Sequence, residues 1–243
     1  MNLNSTSKIK FNFKKYARNR QFQNVSVISP AIFKEKMLSI NIPVYNIIAG
    51  PLVKELVRQA NLLDSPVEIR VFDDGSTASI KKANRKLSEL PGVIYREIPK
   101  NLGRAAIRNK MGLESTYPWL LFIDADSRVI SPTYIHDYLI QLNSGRVICG
   151  GTAYHPLPPE EPQKMLRWVY GSRREAITAE KRNQQKGFII TSNNFLIEKA
   201  LFEKVHFRED LGPYGHEDTL LGYDLFKAGI IPLHIQNPVE HTG

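Results

Sequence analysis

The sequence predicts an α/β fold, with a mixed, mainly parallel sheet flanked by helices. Short apolar runs rich in β-branched residues recur from residue 38 onwards, and segments with helical spacing separate them. The run WLLFI at residues 119–123 is continuously apolar, as in a buried parallel strand. The alternation of strand and helix indicates a sheet whose ligand site lies beyond the carboxyl ends of its strands.

The first half of the chain supplies four of these strands. The pattern predicts them at residues 38–42, 68–72, 93–98 and 119–123. The first intervening helix has one apolar stripe, and two further helices are predicted at residues 79–90 and 104–113. The stripe consists of Leu52, Val53, Leu56, Val57, Ala60 and Leu63.

The second half is less regular. Ser131-Pro132 predicts the start of a helix through about Leu142, and Gly229 predicts the end of another that begins at Glu217. Strands are predicted at residues 147–150 and 188–190, and a short helix at 198–205. Residues 152–187 are rich in proline and charge, which is typical of a substrate lid.

Composition indicates one globular domain. The chain has 243 residues, of which 42% are hydrophobic and 23% charged, enough to bury a sizeable core. The single cysteine, Cys149, cannot form an internal disulfide, and the polar start has no apolar signal segment. No apolar run approaches the roughly 18 residues that span a bilayer. These features predict a cytoplasmic protein.

The net charge of +9 is concentrated at the start of the chain. Residues 1–36 contain eight basic residues and one acidic residue, so the remainder is almost neutral. This distribution argues against a specific nucleic-acid-binding face. We therefore divide the chain into a basic N-terminal arm, residues 1–37, and a single domain, residues 38–243. The arm is either solvated or in peripheral contact with an anionic membrane or another polyanion.

Two carboxylates follow the strand at residues 119–123. Asp124 and Asp126 stand at positions i and i+2, so both can reach one ligand cluster. Their hard oxygen donors suit Mg²⁺ or Mn²⁺ bound together with a diphosphate. A turn or helix cap is the alternative.

Polar segments also follow the other predicted strands. Asp73 and Asp74 open the sequence DDGS, and Asn41 to Asn46 follow the first strand. After the third strand, the sequence NLG leads into a helix with Arg104 and Arg108 one turn apart, which offers cations to a phosphate. Each segment alone could be a cap or a solvated charge, but together they converge on one edge of the sheet.

This ordered set of motifs resembles family 2 glycosyltransferases, which are nucleotide-diphospho-sugar transferases of the GT-A fold. The resemblance covers residues 38–243 and is carried by IPVYN, DDGS, NLG followed by RN, DAD, and Glu217-Asp218. Two departures are Met111, where the family commonly has glycine, and Ser127, where an acidic residue often follows the second aspartate.

The resemblance implies a nucleotide-binding half at residues 38–130 and an acceptor-binding half at residues 131–243. A nucleotide-diphospho-sugar would be the donor, with UDP favoured over other nucleotides. The implied donor site consists of Pro43, Tyr45, Asp73, Asp74, Asn101, Arg108, Asp124 and Ala125.

The resemblance also implies a metal site and a catalytic base. Asp126 and His241 would bind Mn²⁺ or Mg²⁺, although His241 could instead be a surface histidine near a chain end. Asp218 would take the proton of the attacking acceptor hydroxyl, with Glu217 as the second residue of the catalytic pair, in an acceptor-binding or electrostatic role. Acidic residues are also favoured in the first turn of any helix, which is the structural alternative.

Three further residues are candidates for acceptor binding. Asn193 and Asn194 could read sugar hydroxyls through their amides, or form a turn. Trp168 could stack on a sugar ring, or belong to the core.

The expected function is metal-assisted, inverting transfer of a sugar to a hydroxyl of a glycan or lipid-linked acceptor in polysaccharide biosynthesis. A sugar-phosphate nucleotidyltransferase is less consistent, because residues 41–46 lack its glycine-rich loop. The remaining alternatives are a non-catalytic domain that binds sugar nucleotides and a binder of polyanions or membrane surfaces that acts through the basic arm.

Overall fold

A computed structural model describes residues 37–185, 190–210 and 215–243. The strands are β1 (Leu38–Val44), β2 (Val67–Asp74), β3 (Val93–Ile98), β4 (Trp119–Ile123), β5 (Ser127–Val129), β6 (Val147–Cys149), β7 (Thr152–Ala153), β8 (Asn194–Glu198), β9 (Leu233–His234) and β10 (Val239–His241). The α-helices are α1 (Gly50–Ala60), α2 (Ala78–Asn84), α3 (Arg104–Glu114), α4 (Tyr134–Leu139), α5 (Pro162–Arg174), α6 (Ala179–Gln184), α7 (Lys199–Phe202) and α8 (Glu217–Lys227). A 3₁₀ helix, Arg85–Glu89, follows α2.

The main sheet has seven strands in the order β3-β2-β1-β4-β8-β6-β9. Every neighbouring pair is parallel except the two that involve β8, which runs against both β4 and β6. The predicted class, a mixed and mainly parallel sheet flanked by helices, is confirmed. Because β1, β2 and β4 run in the same direction, the segments that follow them meet at one edge.

A small second sheet has the strand order β5-β10-β7. Strand β10 is antiparallel to β5, with His241 opposite Ser127, and parallel to β7. This pairing joins the last residues of the sequence to the segment directly after β4. It therefore positions the side chain of residue 241 beside Asp126.

The core lies on both faces of the main sheet. On one face, the apolar stripe of α1 packs with the buried side chains of β1, β2 and α4. On the other, an aromatic cluster surrounds Phe122, whose ring stacks on that of Phe195 with centroids 5.1 Å apart. Burying such side chains contributes about 1.5–3 kcal/mol each, so both faces hold the sheet that carries the strand ends.

The predicted elements of the first half agree closely with the structure, whereas those of the second half need correction. The strand predicted at 188–190 is wrong where it can be examined: Ile190 lies outside any strand, and residues 188–189 are not described. The strand in this part of the chain is β8, a few residues later, because residues 194–198 fill the buried position between β4 and β6. The helix predicted at 198–205 is reduced to α7. The helix predicted from residue 131 begins at Tyr134 and ends at Leu139.

Residues 1–36 of the predicted basic arm lie outside the described residues.

In the described part of the chain, no helix is both long enough and apolar enough to span a membrane.

A buried arginine fixes α6 to the carboxyl edge of the sheet. Arg182 is 7% exposed, and its guanidinium donates to four backbone carbonyls and approaches His234 Nδ1 at 2.8 Å. Burial, followed by the nearby Arg182 charge, lowers the pKa of His234 to about 4. The acceptor carbonyls are those of Cys149, Gly150, Ile177 and Ile235.

Replacing Arg182 with methionine is expected to lower the free energy of unfolding by about 3 kcal/mol, because several buried carbonyls lose their donor. Lys181→Met, an exposed position on the same helix, serves as the matched control and should change stability by less than about 0.5 kcal/mol. Chemical denaturation measures both. Equal stability of the two variants would show that these hydrogen bonds contribute little.

Candidate active site

The segments after β1, β2, β3 and β4 enclose a cavity of about 360 Å³. Seven of the eight residues assigned to the donor site by sequence resemblance line it, together with Asp126 and Arg104. These seven are Pro43, Tyr45, Asp74, Asn101, Arg108, Asp124 and Ala125. The convergence of strand ends predicted from the sequence is therefore present, while the roles of the residues remain predictions.

Asp74 joins the end of β2 to the loop before α3. Its two carboxylate oxygens accept hydrogen bonds from the N–H groups of Leu102, at 2.8 Å, and Gly103, at 3.1 Å. The Asn101 side chain donates to the Asp74 carbonyl at 3.0 Å. Burial raises the pKa of Asp74, which the two backbone N–H groups oppose. Asp74 thus holds one wall of the cavity.

Gly75 allows this close approach of the two loops. Its φ of +81° is a conformation that side chains disfavour, and a Cβ there would lie 2.7 Å from Asn101 N. Asp73 is fully buried and, unlike Asp74, does not line the cavity. One of its oxygens accepts from the Ser76 N–H at 2.7 Å, which closes the turn.

The segment after β1 is fixed to the same turn. Asn46, at φ 55°, donates its backbone N–H to Ser76 Oγ at 2.8 Å, and its side chain accepts from the Thr77 N–H at 3.0 Å. The preceding residue, Tyr45, is 53% exposed at the mouth of the cavity. An aromatic ring in this position can stack on a planar base.

Arginines and carboxylates alternate across the floor of the cavity. Arg108 is buried and pairs with Asp124 through Nη2 and Oδ1. Arg104 Nη2 lies 3.6 Å from the other Asp124 oxygen, and Arg104 Nε lies 2.8 Å from Glu217 Oε1. The chain Arg108–Asp124–Arg104–Glu217 therefore links the end of β4 to the start of α8.

Asp126 and His241 meet as the sequence resemblance implied, with Asp126 Oδ2 and His241 Nδ1 3.4 Å apart. Thr242 fixes the turn by donating its N–H and hydroxyl to the Asp126 carbonyl, at 2.9 and 2.7 Å. Burial alone would raise the pKa of Asp126, but the His241 ring outweighs this effect and the pKa lies below its ordinary value. Among residues 37–185, 190–210 and 215–243, no group of three or more His, Cys, Asp or Glu side chains is arranged to hold a metal ion.

A second cavity, of about 580 Å³, shares Arg104, Asp124 and Asp126 with the first. Asp218 lines it and accepts from the Ser192 N–H at 3.0 Å through Oδ2, while its Oδ1 is buried without a partner in the described part of the chain. Burial raises the pKa of Asp218, although the Arg108 charge and the Ser192 N–H oppose the rise. The remaining lining residues are Thr152, Arg167, Glu175, Thr191, Ser192, Asn193 and His241.

The two predicted amide residues have different environments. Asn193 lines the second cavity, and its Nδ2 donates to Thr152 Oγ1 at 2.8 Å. Asn194 is the first residue of β8 and is fully buried, so the prediction that it binds the acceptor is wrong. Its amide is already saturated by Tyr134, Tyr138, Gly151 and Asn237.

Trp168 lies in a third cavity, of about 230 Å³, next to Tyr154 and His241. Its indole Nε1 donates to the His155 carbonyl at 2.8 Å, which fixes the ring at the edge of α5. The Tyr154 ring meets the His241 ring edge to face, with centroids 5.6 Å apart. The aromatic surface therefore lies beside the Asp126–His241 pair.

Sequence reasoning did not identify Glu175 and Arg167 as site residues. Arg167 forms two hydrogen bonds to Glu175, and the Tyr154 hydroxyl donates to the same carboxylate. Burial alone would raise the pKa of Glu175, but Arg167 and Tyr154 outweigh this and lower it. The only available signal was their place in the segment with lid-like composition, which does not single out any residue.

Comparisons with known proteins agree with this geometry. The model of glycosyl transferase family 2 matches residues 39–206. Residues 1–349 of S. aureus TarS give a TM-score of 0.60 at 18% identity, over 85% of this chain and 60% of that one. The same TarS fragment in complex with UDP-GlcNAc gives 0.60 and 18%, over 85% and 58%.

The mannosyltransferase PcManGT from Pyrobaculum calidifontis, in complex with GDP-Man and Mn²⁺, gives a TM-score of 0.58 at 16% identity, over 84% of this chain and 56% of that one. The chain thus spans 60% or less of the length of these structures, and the likeness to them shows the GT-A fold alone. No curated protein matches the sequence. Because the family model matches more than half of the chain, the chain belongs to glycosyl transferase family 2.

Proposed function

We propose that this protein is an inverting, metal-assisted glycosyltransferase that moves a sugar from a nucleotide diphosphate to an acceptor hydroxyl. One observation carries the proposal: a nucleotide-sized cavity lined by arginines and a cavity containing a buried aspartate share a wall formed by Arg104, Asp124 and Asp126. A donor in the first cavity would therefore place its reacting end toward Asp218. Residues 38–130 would bind the donor and residues 131–243 the acceptor.

The first cavity has the chemistry of a nucleotide diphosphate site. The exposed Tyr45 ring and Pro43 offer an apolar surface to the base, and the Asp74 wall lies beside them. Arg104 and Arg108 emerge from the first turns of α3, where anions are favoured by the backbone N–H groups as well. The complexes of TarS with UDP-GlcNAc and of PcManGT with GDP-Man support a nucleotide-sugar donor, and UDP is our preferred nucleotide.

Asp218 is the proposed base. Its free oxygen, Oδ1, has no partner among the described residues, and its raised pKa makes the carboxylate a better proton acceptor than an exposed aspartate. The carboxylate would take the proton of the acceptor hydroxyl as the oxygen attacks the anomeric carbon from the face opposite the diphosphate. The leaving diphosphate departs on the other face, so the configuration at that carbon inverts. Buried Arg108, in the lining of the first cavity, would remain a fixed positive charge beside the departing diphosphate.

Asp126 and His241 offer ligand atoms that suit a divalent ion. A carboxylate and an imidazole 3.4 Å apart provide two ligands for Mn²⁺ or Mg²⁺, which commonly complete their coordination with substrate phosphate oxygens and water. When bound, such an ion would neutralise charge on the departing diphosphate. The Mn²⁺ in the PcManGT complex supports this assignment.

The second and third cavities would hold the acceptor. Asn193 and Thr152 supply polar groups near Asp218, and Trp168 supplies an apolar surface at the outer end. A glycan or lipid-linked acceptor fits this combination of amide, hydroxyl and ring. We propose a cytoplasmic role in polysaccharide biosynthesis.

Turnover of a panel of UDP-sugars and GDP-sugars in the presence of Mn²⁺ tests the proposal. We expect one class of donor to release its nucleotide slowly by hydrolysis, and faster when an acceptor is supplied. Asp218→Asn should bind the same nucleotide without releasing it from the sugar. Binding by the unmodified protein without any release would instead indicate a non-catalytic sugar-nucleotide-binding domain.

The outer face of α5 supports peripheral contact with an anionic membrane. Leu166 is 80% exposed and Tyr170, one turn later, is 56% exposed. Arg173 and Arg174 follow at the exposed end of the helix and complement anionic headgroups in charge. The helix lies beside the third cavity, so this contact would present a lipid-linked acceptor to the site.

Combining Leu166→Glu with Tyr170→Glu is expected to lower binding to vesicles of phosphatidylglycerol and phosphatidylcholine about tenfold, because apolar contact is replaced by repulsion. Leu62→Glu, at a position 72% exposed after α1, is the matched control. Co-sedimentation at low and high salt measures both. If the α5 variant binds as well as the control, this helix is not the contact surface.

A further inference from the structure

The Arg104 side chain lies on the wall between the two cavities and is bound to acidic groups from both sides. Its Nε is 2.8 Å from Glu217 Oε1, and its Nη2 is 3.6 Å from Asp124 Oδ2. The side chain of Arg104 is 44% exposed, whereas those of Glu217 and Asp124 are only 11% and 19% exposed. Arg104 is therefore the most exposed member of this group, and its two carboxylate partners are mostly buried.

The two arginines of the nucleotide cavity differ in their freedom to respond to a ligand. Arg108 has a side chain only 3% exposed, and it is held by Asp124 and by the carbonyl of Arg104. Arg104 is the first residue of α3, and a long, half-exposed side chain there can turn toward an anion at the helix N-terminus. An incoming diphosphate would compete with Glu217 for the Arg104 guanidinium.

Glu217 lies on the acceptor side of Arg104 and could bind the acceptor only after its ion pair with Arg104 is broken. It directly precedes the proposed base, and its buried carboxylate is paired with Arg104. A carboxylate released from that ion pair could accept hydrogen bonds from acceptor hydroxyls. One arginine thus serves either the carboxylate on the acceptor side or the phosphate on the donor side.

We propose that Arg104 couples the two halves of the reaction: a donor diphosphate draws the Arg104 guanidinium away from Glu217, which frees Glu217 for the acceptor. This inference rests on the proposed function, because it requires a nucleotide diphosphate in the first cavity. The acceptor then binds after the donor. Arg104 is a positioning residue in this scheme. Glu217 competes with the donor diphosphate for the Arg104 guanidinium.

The coupling predicts that loss of the Glu217 charge strengthens nucleotide binding, whereas loss of a residue that simply binds the nucleotide would weaken it. Glu217→Gln removes the competitor, so the affinity for the nucleotide should rise about tenfold while turnover falls. Arg104→Gln should weaken nucleotide binding. In the Arg104→Gln background, Glu217→Gln should no longer change nucleotide affinity, because the shared guanidinium is absent.

Calorimetric titration of UDP and of GDP, each with Mn²⁺, into the wild type, both single variants and the double variant tests the coupling. Asp224→Asn is the matched control, since Asp224 lies on the same helix as Glu217 and pairs with another half-exposed arginine, Arg208. It should leave nucleotide affinity unchanged, which separates loss of this ion pair from a general loss of negative charge. Arg104→Lys, which keeps the charge, should bind the nucleotide with intermediate affinity.

The possible outcomes separate this inference from the proposed function. If the wild type binds neither nucleotide, the proposed function fails and the coupling fails with it. If the wild type binds one of them but Glu217→Gln does not tighten binding, the coupling is overturned while the donor site stands. Tightening that persists in the Arg104→Gln background, or that Asp224→Asn reproduces, overturns it equally.

Discussion

Replacing Asp218 with asparagine is expected to lower turnover about 10²- to 10⁴-fold, the contribution typical of a general base. Asparagine keeps an oxygen to accept the Ser192 N–H, which lies 3.0 Å from Asp218 Oδ2, but it cannot take a proton. Nucleotide affinity should change little, because Asp218 does not line the first cavity. Steady-state kinetics with the preferred donor, together with nucleotide titration, measures the two effects separately.

The same variant should be at least as stable as the wild type near neutral pH. Burial raises the pKa of Asp218 in the folded state, so the folded protein binds this proton more tightly than the unfolded chain, whose aspartates titrate near about 3.9. The wild type consequently loses stability as the pH rises from that value through the raised pKa. Asparagine does not ionise, and the variant should not show this loss.

Asp224→Asn is the matched control on the same helix. The hydrogen bonds from Arg208 are the main cause of a lowered pKa at Asp224, so its contribution to stability is present at neutral pH and is lost as the pH falls. Asp224→Asn should therefore lower stability at neutral pH, the opposite of the effect expected for Asp218→Asn, and it should leave turnover intact. An active Asp218→Asn variant would contradict the assignment of the base.

Replacing Asp126 with alanine is expected to remove the metal dependence of nucleotide binding and to lower turnover at least about 10²-fold. The carboxylate lines both cavities, and without it the His241 imidazole is left as a single protein ligand. Contacts to the base through Tyr45 and the Asp74 wall do not involve Asp126. Weak nucleotide binding that no longer responds to Mn²⁺ is therefore the expected result.

Asp137→Asn is a suitable control for this experiment, because Asp137 bonds Ser131 and Thr133 outside the three cavities. It should keep the Mn²⁺ response of the wild type. An Asp126→Ala variant that still binds nucleotide more tightly with Mn²⁺ would place the metal on other ligands.

The sequence was sufficient to predict the first four strands and the cavity at their ends, for a local reason. Each strand is a short apolar run followed at once by polar residues, so the position of Asp74 or Asp124 along the chain already fixes its position on the sheet. The turn at Gly75 could be anticipated in the same way. Here a short segment of sequence determines both the element and its ligand-facing end.

The second half depends on contacts between distant segments, which local patterns do not record. Asn194 was predicted either to bind an acceptor hydroxyl or to lie in a turn, but the sheet places it between β4 and β6 and saturates its amide with four partners. Similarly, Glu175 enters the site because Tyr154 and Arg167 hold it. The ion pair of Arg104 with Glu217 joins residues more than a hundred positions apart.

The most direct test of the central claim is calorimetric titration of the wild-type protein with UDP and GDP, each with and without Mn²⁺. We predict that one nucleotide, with UDP preferred, binds at a single site and that Mn²⁺ strengthens its binding. Failure of both nucleotides to bind, with and without the metal, would contradict the assignment of the cavity at the ends of β1, β2 and β4 as a donor site.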